Sequence, residues 1–175
     1  MFDNKQQTSS ALYLNSNKAS TRNMLAQQQE YRHHVGDTGE RYVLEMERLK
    51  LKDTMYANLV KDVSDDFSIK YDIISYTLDG EELFIEVKST ENASLDRAFI
   101  MSSNELHFAW SCYQRGKPYE LHRVYDLKGE PKRLIITADV LFGGKVELAP
   151  KDYYVRLEGF AQMQRHSSSN VAKSA

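Results

Sequence analysis

The chain has 175 residues, enough for one folded domain with a buried core. Hydrophobic residues make up 41% and charged residues 27%, and no run of eighteen apolar residues occurs, so we expect a globular protein and no transmembrane helix. The net charge of −2 argues against a protein that coats nucleic acid through many basic contacts, but it allows an enzyme that meets DNA at one basic rim.

The cysteine content and the N-terminus predict the compartment. Cys112 is the single cysteine, so no internal disulfide can form, and the first residues lack the apolar core of a secretion signal. Both features predict a cytoplasmic protein that does not associate with a membrane. Cys112 falls on the apolar face of a predicted helix, so we expect it in the core.

Three regions are expected along the chain. The N-terminal region is polar and rich in Gln, Ser and Asn, and the C-terminal region is rich in Ser, so neither can bury much apolar surface. We therefore predict an extension over residues 1–34, partly disordered with a possible helix, a folded domain over residues 35–160, and a flexible tail over residues 161–175.

The pattern before residue 51 predicts two helices with a break between them. The first runs from about residue 20 to residue 33, and Val35-Gly36 ends it. The second begins at Asp37 in a capping box, in which Asp37 and Glu40 satisfy backbone groups of the first turn. This capping role is one explanation of Glu40.

The most informative stretch is a pair of predicted strands joined by Asp79-Gly80, a strong hairpin signal. Asp72 begins the first strand, and Glu86 and Lys88 lie on the second. Side chains alternate along a strand, so Glu86 and Lys88 share one face. Asp72 joins them if the loop has three residues or an equivalent bulge, and it faces away if the loop has two.

The remaining segments complete the predicted fold. The order of elements predicts an α/β (α+β) fold with a mixed central sheet flanked by helices. Outside the hairpin we expect strands near residues 57–63, 99–101, 119–126, 134–138 and 153–157, and a helix from about Asn104 to Arg115 that is capped by Ser102 or Ser103.

Five segments resemble a known family when they are taken in chain order. The segments are Gly36–Glu40, Tyr71–Ser75, Ile85–Thr90, Phe99–Glu105 and Leu121–Tyr125, so the resemblance covers about residues 35–126. The family is the domain of unknown function at the C-terminus of the plant protein NO VEIN and in many bacterial defence-associated proteins, and it looks like a divergent PD-(D/E)xK restriction-endonuclease fold. Tyr71 replaces the proline of the motif, as is common in the family.

The resemblance implies a metal-dependent nuclease that hydrolyses phosphodiester bonds, with DNA as the expected substrate. Asp72, Glu86 and the Val87 carbonyl would hold Mg²⁺, for which Mn²⁺ can substitute, and Lys88 would orient the attacking water. Glu40 matches an acid that many members of the fold contribute near the metal. Contacts to the nucleic acid are expected from a helix start and a basic loop: Ser102, Ser103, Asn104, Lys128, Lys132 and Arg133.

Structural explanations stay open beside this hypothesis. Glu86 and Lys88 could form an ordinary ion pair on a strand, Glu105 could be an ordinary first-turn residue, and Arg123 could pair with a carboxylate rather than contact DNA. His33 and His34 diverge on a helix and have no third ligand in register, so they do not predict a metal site.

Two functional hypotheses follow from the sequence. The first is a nuclease in defence against foreign DNA, including phage DNA, or in DNA processing. The second is a weak or inactive module that binds nucleic acid or protein in a larger defence or repair complex. A homodimer, or a helicase or ATPase partner, is compatible with both. An unrelated α/β scaffold would be revealed by a sheet that places Asp72 and Glu86 on opposite faces.

Overall fold

The computed structural model describes residues 5–95 and 98–151. In these ranges, no helix is both long enough and apolar enough to cross a membrane. The elements are the helices α1 (Lys5–Lys50), α2 (Ser103–Arg115) and α3 (Ala138–Phe142), a 3-10 turn (Ala57–Leu59), and the strands β1 (Lys61–Asp62), β2 (Ile73–Tyr76), β3 (Glu82–Ser89), β4 (Tyr119–Tyr125) and β5 (Lys132–Thr137).

The five strands form one mixed sheet in the order of the sequence. Neighbouring strands are antiparallel except β3 and β4, which are parallel because α2 crosses over one face between them. Helix α1 packs on one face and α2 with α3 on the other, which gives two apolar cores; Cys112 is buried in the second core as expected. The predicted mixed sheet flanked by helices is confirmed.

The predicted break near residue 36 is wrong. Helix α1 is continuous from Lys5 to Lys50, so it passes through Val35-Gly36 and includes most of the segment expected to be disordered. An internal glycine costs a helix only about 1 kcal/mol, which packing against a sheet can offset. Asp37 consequently lies inside the helix, where it pairs with His33 at 3.1 Å, and it does not form the predicted capping box.

Two of the predicted strands are also corrected. In the segment predicted near residues 57–63, only Lys61–Asp62 is a strand, and the 3-10 turn precedes it. Phe99–Met101 is irregular and leads into α2, because its apolar side chains pack on the α2 side of the sheet without strand pairing. The strand predicted near residues 153–157 lies outside the described residues.

The hairpin between β2 and β3 has a five-residue loop, Thr77–Glu81, rather than the predicted three-residue loop. Ile73 pairs with Ile85, and Tyr76 pairs with Glu82. Gly80 has a φ of +89°, and a Cβ there would overlap the Tyr56 hydroxyl, so the loop requires glycine. Loops of three and five residues give the same side-chain parity. Asp72 therefore shares a face with Glu86, and the register places it opposite Glu86 rather than Lys88.

Candidate active site

A cleft of about 520 Å³ opens at the end of β3, between α1 and the start of α2. The four side chains predicted to be catalytic all line it, although they come from separate parts of the chain. Val87 and Glu105 also line it. We call the following five side chains the active-site cluster: Glu40, Asp72, Glu86, Lys88 and Glu105.

Asp72 is fixed by the edge of β3. Its main-chain N–H donates to the Ile85 carbonyl at 2.9 Å, and its Oδ2 accepts a hydrogen bond from the Val87 N–H at 2.7 Å. Backbone groups alternate in direction along a strand, so the Val87 carbonyl points to the same side of β3 as the Asp72 carboxylate. Burial raises the pKa of Asp72, although the Val87 hydrogen bond and Lys88 oppose this.

Glu86 and Lys88 form a buried ion pair at the base of the cleft. Lys88 Nζ lies 2.5 Å from Glu86 Oε1, and Glu86 is only 2% exposed. Burial and then the nearby charge of Asp72 raise the pKa of Glu86 to about 8, with Lys88 opposing the shift. Burial alone would lower the pKa of Lys88, but Glu86 and Glu105 outweigh it and raise that pKa, so Lys88 stays charged.

Glu105 connects Lys88 to α2. Its Oε2 lies 2.9 Å from Lys88 Nζ and also accepts the main-chain N–H of Ser102 at 2.9 Å. The Ser102 hydroxyl in turn accepts the Glu105 N–H at 3.2 Å, which completes a capping box. The Ser-x-x-Glu spacing was a sequence signal for this box, but the ion pair with Lys88 depends on how α2 packs on the sheet.

Gly39 positions Glu40. A Cβ at Gly39 would overlap Ser89 Oγ and lie 2.7 Å from Ser89 Cβ, so only glycine lets α1 approach β3 this closely. The next residue, Glu40, then lines the cleft from the helix side. Burial and then the charge of Asp72 raise the pKa of Glu40 to about 7. Glu40 therefore reaches the cleft from inside α1 and not from a helix start.

The predicted basic loop does not form one patch. Lys128 pairs with Glu91 at 2.6 Å, and Lys132 lies 3.6 Å from Asp126. Arg133 instead pairs at 3.0 Å with Glu47, a fully buried residue of α1. Its guanidinium therefore lies on the face of the sheet that α1 covers. Ser102 is engaged in its capping box, while Ser103 and Asn104 are exposed in the first turn of α2.

Arg123 does not form the predicted pair with a carboxylate within the described residues. It is 6% exposed, and its guanidinium lies 5.1 Å from the centre of the Phe99 ring. No carboxylate of the described residues pairs with it, and its buried Nε has no hydrogen-bond partner. Its contact with the ring is a cation–π interaction inside the α2 side of the fold.

The donor set of the cluster fits a magnesium ion. In the described ranges, no group of three or more His, Cys, Asp or Glu side chains is arranged to hold a metal. A metal here would be held by the Asp72 and Glu86 carboxylates with the Val87 carbonyl, a small set of oxygen donors of the kind that Mg²⁺ prefers. Burial and then the charge of Asp72 raise the pKa of Glu86, and the second of these causes, one carboxylate beside another, favours an added cation.

The fold and the site together define an α+β domain with a buried cluster of acids around one lysine. The family described as Protein NO VEIN, C-terminal matches residues 39–136, more than half of the chain. The chain belongs to this family, which confirms the resemblance predicted from the sequence. The match begins at Gly39 and includes the whole active-site cluster. No curated protein and no solved structure matches the chain.

Proposed function

We propose that this chain is a metal-dependent nuclease that hydrolyses phosphodiester bonds in DNA. One observation carries the proposal: Asp72, Glu86 and Lys88 lie on one face of the sheet and line one cleft. Buried acids with raised pKa values beside a charged lysine are more typical of functional sites than of stabilising ion pairs. The mixed sheet with parallel β3 and β4 supports the restriction-endonuclease-like architecture that the resemblance implies.

Each side chain of the active-site cluster has its own expected role in the reaction. Asp72 and Glu86 would hold Mg²⁺, with Mn²⁺ as a substitute, and the metal would supply Lewis acidity to the phosphate and its water. Lys88 keeps its charge and stabilises negative charge on the phosphate. Glu40, with a pKa of about 7, can take up a proton near neutral pH. Glu105 positions Lys88.

A second function, a weak or inactive binding module of a larger complex, is favoured by one observation. The basic loop residues Lys128, Lys132 and Arg133 are each paired with an acid, so they offer little free positive charge to DNA. A helicase, an ATPase or a second copy of the chain would then deliver the substrate. In either case we place the protein in the cytoplasm, with defence against foreign DNA as its role.

The test is cleavage of supercoiled and linear DNA with Mg²⁺ or Mn²⁺, comparing the wild type with Lys88→Ala and Lys50→Ala. Lys50 is the matched control, since it also pairs with a buried glutamate but lies outside the cleft. We expect Lys88→Ala to lower the rate by about 100- to 1000-fold and Lys50→Ala to leave it unchanged. Equal cleavage by all three proteins would overturn the mechanism. DNA binding without cleavage by the wild type would support the second function.

A further inference from the structure

A short part of α1, residues 31–36, forms a wall of the cleft. The sequence suggested no definite role for these residues. Tyr31, Arg32, Val35 and Gly36 line the cleft opposite the end of β3. These residues precede the region that matches the family, which begins at residue 39. The wall therefore lies on the part of α1 that precedes the matched residues 39–136.

Helical spacing explains why this wall faces the site. Arg32, Gly36 and Glu40 follow one another at intervals of four residues, so they lie on one side of α1. Glu40 belongs to the active-site cluster. Arg32 consequently lies two turns further out on the same side, about 12 Å along the helix axis.

A hydrogen-bonded brace holds the wall in place. The Tyr31 hydroxyl donates to Glu91 Oε2, and Lys128 Nζ lies 2.6 Å from the same oxygen. Glu91 is in the loop that follows β3, so the brace joins α1 to the strand that carries Glu86 and Lys88. The brace ties the turn of α1 that carries Arg32 to the loop that follows β3.

Arg32 differs from the other basic residues near the cleft. Lys88 and Lys128 are both paired with carboxylates. Arg32 is exposed at the cleft and forms no ion pair within the described residues. A guanidinium can bind a phosphate through two parallel hydrogen bonds, and it keeps its charge at any physiological pH.

From these observations, and resting on the proposed function, we propose that Arg32 binds a DNA backbone phosphate on one side of the cleaved bond. In this arrangement the DNA strand runs along α1, where the 12 Å offset of Arg32 from Glu40 equals the axial rise of three or four nucleotides of B-form DNA, about 3.4 Å each. Tyr31 keeps α1 in register with the site. The helical extension thus determines where the DNA strand lies.

The test compares Arg32→Ala with Arg22→Ala. Arg22 is a matched control because it is an exposed arginine on the same helix, about 15 Å further from the cleft. Each change is made in the Lys88→Ala protein, in which the DNA remains intact, and binding of a fluorescein-labelled 20-base-pair duplex is measured with Mg²⁺ over a series of salt concentrations.

We expect Arg32→Ala to weaken binding three- to tenfold and to reduce the slope of log affinity against log salt by about 0.9, the value for one lost phosphate contact. Arg22→Ala should change neither quantity, and Arg32→Lys should restore part of the affinity. If the wild type cleaves DNA but the two alanine variants bind it equally, only the role of Arg32 is refuted. If the chain neither binds nor cleaves DNA, both proposals fail.

Discussion

Helix α1 supplies a carboxylate to two buried charged clusters, and the two clusters differ in how well their acids are satisfied. Glu40 belongs to the active-site cluster. Glu47, two turns later, accepts hydrogen bonds from Arg133 at 3.0 Å and from the Ser75 hydroxyl at 2.8 Å, and it also pairs with Lys50. We call Glu47, Lys50, Ser75 and Arg133 the internal network.

The pKa of Glu47 and those of two acids of the active-site cluster, Glu86 and Glu40, shift in opposite directions. Burial alone would raise the pKa of Glu47, but Lys50, Ser75 and Arg133 outweigh it and hold that pKa below its usual range. In the active-site cluster, burial and then the charge of Asp72 raise the pKa of Glu86 to about 8 and that of Glu40 to about 7. Glu47 has a full set of partners, whereas Glu86 shares Lys88 with Glu105, and buried acids with raised pKa values in a cleft are more typical of a functional site.

The largest expected effects come from Glu86→Gln and Glu47→Gln. Glu86→Gln should reduce cleavage about 100- to 1000-fold and change the free energy of unfolding by less than about 1 kcal/mol, because Lys88 keeps Glu105 as its charged partner. Glu47→Gln should lower that free energy by about 3 kcal/mol, because it leaves Arg133 without its partner, and should leave cleavage intact below the unfolding temperature. Urea unfolding and the plasmid assay measure both. A stability loss in Glu86→Gln as large as that in Glu47→Gln would erase the distinction between the clusters.

The stability that the internal network contributes should depend on pH through Glu47. The pKa of Glu47 is lower in the folded than in the unfolded protein, so its stabilisation is fully present above the unfolded value of about 4.3 and is lost as pH falls through the folded pKa. The wild type should therefore lose more stability than Glu47→Gln as pH decreases below about 4.3. Unfolding curves recorded between pH 6 and pH 3 test this. If the free energy of unfolding falls equally in the two proteins as the pH decreases, protonation of Glu47 is not the cause of the acid sensitivity.

A smaller effect is expected where α1 meets β3. Gly39→Ala places a Cβ against Ser89, so we expect a loss of about 1 to 3 kcal/mol and slower cleavage as Glu40 moves outward. Adding Ser89→Gly removes the atoms that the new Cβ would contact. The double variant should recover most of both losses in a double-mutant cycle, whereas additive losses would show that close packing at this point is not the cause.

The smallest effect is expected for Tyr119→Phe. The buried Tyr119 hydroxyl has no hydrogen-bond partner among the residues that the structure describes, so removing it should leave stability unchanged or raise it by up to about 1 kcal/mol. Thermal unfolding of the two proteins measures the difference. A decrease in the free energy of unfolding of more than about 1 kcal/mol would mean that the hydroxyl has a hydrogen-bond partner in solution. The hydroxyl would then be hydrogen-bonded as the polar groups of the internal network are.

Local patterns in the sequence were sufficient to predict much of the fold. Strand alternation placed Glu86 and Lys88 on one face, and the serines before Asn104 predicted the start of α2, which Ser102 caps. The mixed sheet and the family also followed from the order of the segments. The strand alternation and the helix cap depend on residues only a few positions apart, whose geometry is set by the repeat of a strand or by the first turn of a helix.

The tertiary structure decided what depends on distant partners. The five-residue loop set Asp72 opposite Glu86, the close approach of Gly39 to Ser89 brought Glu40 to the cleft, and packing of the sheet on α1 paired Arg133 with Glu47. None of these pairings leaves a periodic signal, because each joins residues that are far apart in the chain. Their energies come from burial and from charge neutralisation, which exist only once the helix lies on the sheet.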